Sequence, residues 1–284
     1  MMTTSKTPFF NSPIPKYGDY IQVPGEDEVY PIFRGQIKSK ESNFFADLII
    51  KNNSKKIIDF GVGGGKEFSA IMEIFEKRGY KLKIAEANEI DDKFISQAKN
   101  IFKSRGQNVP IHQANWENLP TANPPYNNTF DFGLLTGNSL SYIGGKNRED
   151  TLSKQKNALA HIATLLEPNG RLFVDTRNFD FIFSLSGKSI SDIESYFDFG
   201  YTVYYHGAKK NISAFPVFIE RDLVIFHYYY HDKKIWCKKI YFPIYHKDML
   251  DMLSKIFLIK NIYSDFKAGF FKKSIFLQYL VCKK

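Results

Sequence analysis

A short glycine run, Gly61-Val62-Gly63-Gly64-Gly65, follows the apolar stretch Lys56 to Phe60 and precedes a helical pattern over Glu67 to Arg78. Glycines at this spacing let the backbone pass close to a ligand, and the helix start offers N–H groups that lack intrahelical partners. Nicotinamide-, flavin- and phosphate-binding proteins use similar loops, so the loop alone selects no chemistry. No Gly-Lys-Ser/Thr follows it, which disfavours a P-loop ATPase. Glu86 ends the next apolar stretch, Lys81 to Ala87. A carboxylate there can accept hydrogen bonds from both hydroxyls of an adenosine ribose.

Later residues narrow the choice between a dehydrogenase and a methyltransferase. Ala114-Asn115-Trp116 closes a third stretch, Val109 to Ala114, where Asn115 can read an adenine edge and Trp116 can cover the ring. Gly137-Asn138-Ser139 follows a fourth, Thr129 to Thr136, and forms a polar loop where an acceptor would meet a transferred group. Asp175-Thr176-Arg177-Asn178 ends a fifth, Arg171 to Thr176. The planar fork of Arg177 matches a carboxylate bidentately. Core packing of Trp116 and a structural ion pair for Arg177 are the competing readings. His161 lies inside a helical pattern and reads as structural. The spacing of Cys, His and carboxylates fits no metal site, and no general base stands out.

These residues need elements to position them. Amphipathic helices over Lys40 to Lys51, Glu67 to Arg78 and Glu149 to Leu166, and one carrying Phe94, Ala98, Ile101 and Phe102, alternate with the five strands. Such alternation means parallel βαβ units and a doubly wound sheet, whose ligands bind outside the C-terminal strand ends. After residue 185 the pattern changes. Gly200 to Tyr205, Val217 to Tyr230 and Lys234 to Phe242 read as antiparallel strands that can lie over the active site. A helix over Lys247 to Phe257 follows, and strands Ile259 to Ile262 and Ser274 to Val281 close the sheet as a hairpin. Residues 1–28 carry four prolines and no periodicity, so they read as an arm. Residues 29–284 form the domain, with 185–243 as an inserted lid.

Composition sets the bounds. The chain of 284 residues, 43% hydrophobic and 24% charged, suits one soluble α/β domain with an insertion. No apolar run approaches the roughly 20 residues of a membrane span, and the first residues lack a signal-peptide pattern, which points to the cytoplasm and away from a membrane partner. Cys237 and Cys282 read as two free thiols. The net charge of +9 raises a nucleic-acid partner. Its basic residues are however dispersed in pairs, and AT-rich codon usage alone produces a chain rich in Lys, Asn, Ile and Phe together; both argue against one.

The run Phe130-Asp131-Phe132-Gly133-Leu134-Leu135-Thr136-Gly137-Asn138-Ser139, continued by Val174-Asp175-Thr176-Arg177-Asn178-Phe179-Asp180, resembles the glycine N-methyltransferase family, including the bacterial glycine/sarcosine enzymes. Ala114-Asn115-Trp116 and Asp265-Phe266-Lys267 are similar to it as well, and the likeness runs from about Tyr17 to the C-terminus. The resemblance implies an α/β class I methyltransferase: a Rossmann-like, seven-stranded, mostly parallel sheet with an inserted antiparallel sheet over the active site. It implies S-adenosylmethionine as cofactor and S-adenosylhomocysteine as product. Tyr17, Tyr30, Phe33, Lys40, Gly61, Gly63, Gly65, Glu86, Asn115, Trp116 and Thr136 would then bind the cofactor. Asn138 and Arg177 would be the catalytic pair, holding a small carboxylated amine of glycine or sarcosine type, with Tyr228 facing it. A homodimer or homotetramer is also implied. This chain departs from the family at Val62 and Gly64 in the loop, Glu86 for the ribose Asp, Lys40 for an Arg and Phe33 for a Tyr. The family's N-terminal Glu, which reaches a neighbouring subunit, has no counterpart; Asn11 is near that position. An RNA cap guanine methyltransferase and a non-catalytic S-adenosylmethionine-binding protein are the alternatives.

Overall fold

The computed structural model describes residues 39–116, 128–189, 192–193, 196, 201–205, 208–230 and 235–284. Helix α1 (Ser39–Lys51) leads into β1 (Lys56–Phe60), α2 (Lys66–Lys77), β2 (Ile84–Glu89), α3 (Asp92–Ser104), β3 (Ile111–Gln113) and β4 (Phe130–Leu135). A 3-10 helix (Ser139–Tyr142), α4 (Arg148–Leu165), β5 (Leu166–Arg177) and α5 (Phe179–Phe183) follow. Four strands then form a separate sheet: β6 (Tyr201–Tyr205), β7 (Ala208–Ile219), β8 (Val224–Tyr230) and β9 (Ile235–Tyr241). The chain returns through α6 (His246–Ile256) to β10 (Phe257–Ser264), β11 (Lys267–Ala268) and β12 (Phe276–Lys283).

The central sheet has the order β11-β10-β12-β5-β4-β1-β2-β3. It is the expected seven-stranded sheet with a two-residue strand added at one edge. Strands β1 to β5 run parallel, and β12 is inserted antiparallel between β5 and β10. Alternation along the strands feeds two cores. Ile58, Phe60, Leu172, Val174, Tyr279 and Val281 pack with α4 and α6. Ile57, Phe173 and Leu280 pack with α1, α2 and α3. Helix α2 puts Phe68, Ile71 and Phe75 on its buried face, and α3 does the same with Ile95, Ala98 and Phe102. Among the described residues no helix is long and apolar enough to cross a membrane.

The second sheet has the order β6-β7-β8-β9, antiparallel throughout. A third cluster docks it: Phe215, Val224, Phe226 and Tyr241 meet Phe179, Phe181, Ile182 and Ile275 at the end of the central sheet. Sequence periodicity reads Val217 to Tyr230 as one strand and leaves β7 unassigned before it. The structure breaks that run at a turn closed by the Glu220 N–H to the Leu223 carbonyl at 2.9 Å. The turn has neither glycine nor proline, so no local signal marks it. Glu167 to Gly170, which fall between the helix and the fifth strand of the sequence reading, are absorbed into β5 as an irregularity, with Asn169 left-handed at φ 64°.

Candidate active site

The C-terminal ends of β1, β2 and β4 and the start of α2 open on a cleft of about 870 Å³. Its floor is the glycine loop. The N–H groups of Gly61 and Val62 donate to the Asn88 carbonyl at 2.9 and 3.0 Å, and that of Gly63 donates to Glu89 Oε2 at 2.8 Å. The loop is thereby tied to the end of β2. Gly65 sits at φ 78°, where a Cβ would lie 2.9 Å from Ala98 Cα and Cβ. Glycine is therefore required where α2 starts against α3. A Cβ at Gly63 would meet nothing within 4 Å, and this residue lines the cleft.

The structure places Glu86, the acid expected at the ribose, away from the cleft. Glu86 lies in the middle of β2, paired with Ile58, and its Oε2 is 2.6 Å from His112 Nε2. It is absent from the cleft wall, where Glu89 stands instead. The apolar pattern stops before the strand does, because the C-terminal ends of parallel strands face ligand rather than core. A signal was present: Asp91 caps α3, accepting from Lys93 N and Phe94 N, and that places the strand end just before it. Glu89 also accepts from Ile90 N and Asp91 N at 2.8 and 3.2 Å. An ionised carboxylate has about four acceptor sites, so capacity for a ligand hydroxyl remains.

Buried Asn88 is a second residue that sequence reasoning missed. Its Nδ2 donates to the carbonyls of His112 and Ala114, and its Oδ1 accepts from Trp116 Nε1 at 2.9 Å. Trp116 is thereby held against the loop, close enough that a Cβ at Gly61 would approach its ring to 3.2 Å. His161 Nδ1 lies 3.2 Å from the Trp116 carbonyl, the structural place expected for it. Gly61, Gly63, Gly65, Asn115, Trp116 and Thr136 all line the cleft, as does Ile90 with 59% of its surface exposed. Lys66, at the start of α2, also lines it. Burial lowers its pKa, and Arg105 adds to the effect. Tyr17, Tyr30 and Phe33 lie outside the described residues, as does the side chain of Lys40 in α1.

Asn138 and Arg177 are brought together, and neither is among the residues that line this cleft. Asn138 is left-handed at φ 59°. Its N–H and that of Gly137 donate to the Asp175 carboxylate at 2.6 and 3.1 Å. Its Oδ1 accepts from Ser141 Oγ at 2.8 Å, Arg177 N at 2.9 Å and Thr176 Oγ1 at 3.1 Å. Its Nδ2 is buried without a hydrogen-bond partner among the described residues. The Arg177 guanidinium lies 4.1 Å from the Phe226 ring centre, with Phe276 and Tyr241 at 5.1 and 5.5 Å. In this arrangement the pair knots β4 to β5 and supports an aromatic wall.

Three other residues form the cleft surface there: Ser139, Tyr142 and Lys239. Tyr142 Oη is 3.3 Å from Tyr241 Oη. Lys239 is only 4% exposed, and burial lowers its pKa to about 8. The alternation of β9, which puts Lys239 and Tyr241 on one face, was the signal available for it. Tyr228 is in β8 opposite Cys237, with its side chain outside the described residues.

The residues present suit a nucleoside-bearing sulfonium cofactor: an open glycine cradle, a strand-end carboxylate, and the apolar surfaces of Ile90 and Trp116 for a base. No family model matches the chain. It is 23% identical over 231 residues to the glycine/sarcosine N-methyltransferase of Halorhodospira halochloris, covering 81% of this chain and 75% of that protein. It is 25% identical over 174 residues to the glycine N-methyltransferase of Rattus norvegicus, covering 57% of this chain and 56% of that one. The chain thus matches little more than half the length of the rat relative. Among solved structures, an S-adenosylmethionine-dependent methyltransferase from Clostridium acetobutylicum superposes with a TM-score of 0.64 at 17% identity, covering 89% of this chain and 95% of that one. The CcbJ methyltransferase from Streptomyces caelestis gives 0.54 at 13%, covering 86% and 95%. Fold, cleft and sequence relatives together define the class: an S-adenosylmethionine-dependent methyltransferase.

Proposed function

We propose that the protein methylates the nitrogen of a small carboxylated amine of the glycine or sarcosine type. The observation that carries this reading is a pair of buried cations about Phe226: Lys239, which β9 brings to the cleft wall opposite that residue, and Arg177, whose guanidinium lies over its ring. The named activities of the sequence relatives point the same way. S-adenosylmethionine, when bound, supplies an electrophilic methyl group on its sulfonium.

The chain's own residues do the positioning. The glycine loop, Glu89, Asn115, Trp116 and Thr136 hold the cofactor, with Tyr17, Tyr30, Phe33 and Lys40 reaching it from the N-terminal segment. The Arg177–Lys239 corner draws the carboxylate, and the loop knotted by Asn138 fixes Ser139 and Tyr142. Residues 185–243 act as a lid, with Tyr228 facing the acceptor, and exclude water. Methyl transfer of this kind needs amine, carbon and sulfur held in line rather than a covalent helper.

The net charge of +9 favours the RNA reading. The cleft itself does not, since Asp59, Glu67, Glu89 and Asp91 line it beside Lys66 and Lys239. Release of S-adenosylhomocysteine is measured over amino acids, simple amines and a short capped RNA. Turnover of glycine or sarcosine is expected. Turnover of the RNA alone would overturn the reading, and cofactor binding with no turnover would mark a non-catalytic binder.

A further inference from the structure

Two parts of the chain far apart in sequence meet at one end of the cleft. Ser139, Tyr142 and Ile143 come from the segment after β4, and Lys239 comes from β9 of the inserted sheet. At the junction the Tyr142 and Tyr241 ring centres are 5.1 Å apart, and the Phe242 N–H at the exit of β9 donates to the Ser141 carbonyl at 2.8 Å. Helix α4 ties the same junction twice. Its fully buried Gln155 donates from Nε2 to the carbonyls of Ile143 and Phe242 at 3.1 and 3.3 Å, one on each side. At the start of the helix, Arg148 reaches three further segments. Its guanidinium donates to the Pro243 carbonyl at 3.3 Å, pairs with Asp248 in α6, and lies 3.6 Å from Asp222 in the turn between β7 and β8. It also lies over Tyr245, 4.9 Å from the ring centre, and the Tyr245 hydroxyl donates to the Arg221 carbonyl of that turn at 2.8 Å. Neither Arg148 nor Gln155 is among the residues that line the cleft.

We propose that Arg148 is a positioning residue for methyl transfer. It clamps the β7–β8 turn and the β9–α6 link onto α4, and so sets how closely β9 stands to Tyr142 and Ile143 at the acceptor end of the cleft. Arginine suits this place, because its rigid, planar fork can hold a carbonyl and two carboxylates at once. Its side chain is 19% exposed, so these charges are screened less than those of a fully solvated pair. The clamp matters to chemistry because methyl transfer depends on alignment: a shift of about 1 Å in a distant support costs on the order of a hundredfold in rate. The inference rests on the carboxylated-amine reading for its acceptor, whereas the clamp itself is read from contacts outside the cleft.

The test compares wild type, Arg148→Met, Arg148→Lys and Asp222→Asn as full chains, by turnover of glycine, calorimetry with S-adenosylhomocysteine, and amide hydrogen exchange. Arg148→Met is expected to lower kcat/KM for glycine by roughly tenfold to a hundredfold, chiefly through kcat. Affinity for S-adenosylhomocysteine should stay within about threefold of wild type, because the glycine-loop end is untouched. Exchange should quicken by about tenfold in peptides spanning the β7–β8 turn, β8 and β9, and stay unchanged in β1 and α2. Arg148→Lys should recover part of the turnover. Asp222→Asn, which loosens the clamp from the other side, should show the same exchange pattern with a loss of only about threefold in kcat/KM. Turnover and exchange both within about twofold of wild type in Arg148→Met would overturn the proposal. So would a uniform rise in exchange with loss of S-adenosylhomocysteine affinity, which would mark Arg148 as merely structural. If wild type turns over no glycine, the carboxylated-amine reading fails, and exchange alone decides the clamp: a rise confined to β8 and β9 supports it, and an unchanged pattern refutes it.

Discussion

The glycine-loop end of the cleft is assembled from main chain and strand ends, whereas the end at Ser139, Tyr142 and Lys239 combines the segment after β4 with a side chain that arrives from a second sheet. At the first, the loop amides bond to the Asn88 carbonyl and the Glu89 carboxylate, and both come with the topology of β1 and β2. At the second, the β4–β5 loop is knotted by Asn138 and Asp175, and the surface facing the cleft depends on how β8 and β9 dock. Parallel-sheet geometry thus dictates where the loop end of the cleft lies. The acceptor end can change by substitution in the inserted sheet without disturbing that geometry.

The largest expected effect tests the loop end. Gly65→Val would force a Cβ against the Ala98 backbone at positive φ, and should cost about 3–4 kcal/mol, read as a lower Tm and lost cofactor binding. Retained stability would mean that α2 and α3 can part. Next comes the knot at the acceptor end. Asn138→Ala leaves the Ser141 and Thr176 hydroxyls and the Arg177 N–H without their common acceptor, a loss of about 2–3 kcal/mol in denaturant melts. Unchanged stability with lost turnover would instead restore Asn138 as a direct contact to the amine.

The two acids of β2 provide a sharper contrast. Glu89→Gln should weaken S-adenosylhomocysteine by about thirtyfold, near 2 kcal/mol, whereas Glu86→Gln should change it less than about twofold. Reversed affinities in calorimetry would return the ribose to Glu86. The smallest effect concerns Lys239. Burial lowers its pKa from 10.5 to about 8, so the folded state carries the full cost of the charge below pH 8 and sheds it as pH rises to 10.5. Lys239→Met should therefore be about 1 kcal/mol more stable than wild type near pH 7, with the gap closing between pH 8 and 10.5. A gap that widens with pH would contradict burial as the cause.

Much of the fold was legible in residue order. The apolar spacing of Phe68, Ile71 and Phe75 marks α2, and that of Phe94, Ala98, Ile101 and Phe102 marks α3, although in α3 the buried face is Ile95, Ala98 and Phe102 while Phe94 and Ile101 line the cleft. The glycine loop and Asn115-Trp116, expected at the cofactor, line the cleft. Glu86 was misplaced because hydrophobicity ends at Ala87 while the strand continues to Glu89. Lys239 was overlooked because a lysine pair in a strand looks like a solvated edge, and only docking of β9 against the central sheet buries one of the two.

The sequence by itself determined the alternation of strands and helices, the loop at the first strand end and the chemistry on offer at each later one. These follow from local causes: side-chain period, glycine's access to positive φ, and helix capping. Only the tertiary structure decided which of two acids faces the cleft, that Asn138 and Arg177 bond to one another without lining it, and that Lys239 stands in its wall. Those choices rest on strand register and on burial between segments far apart in the chain, for which local spacing carries no information.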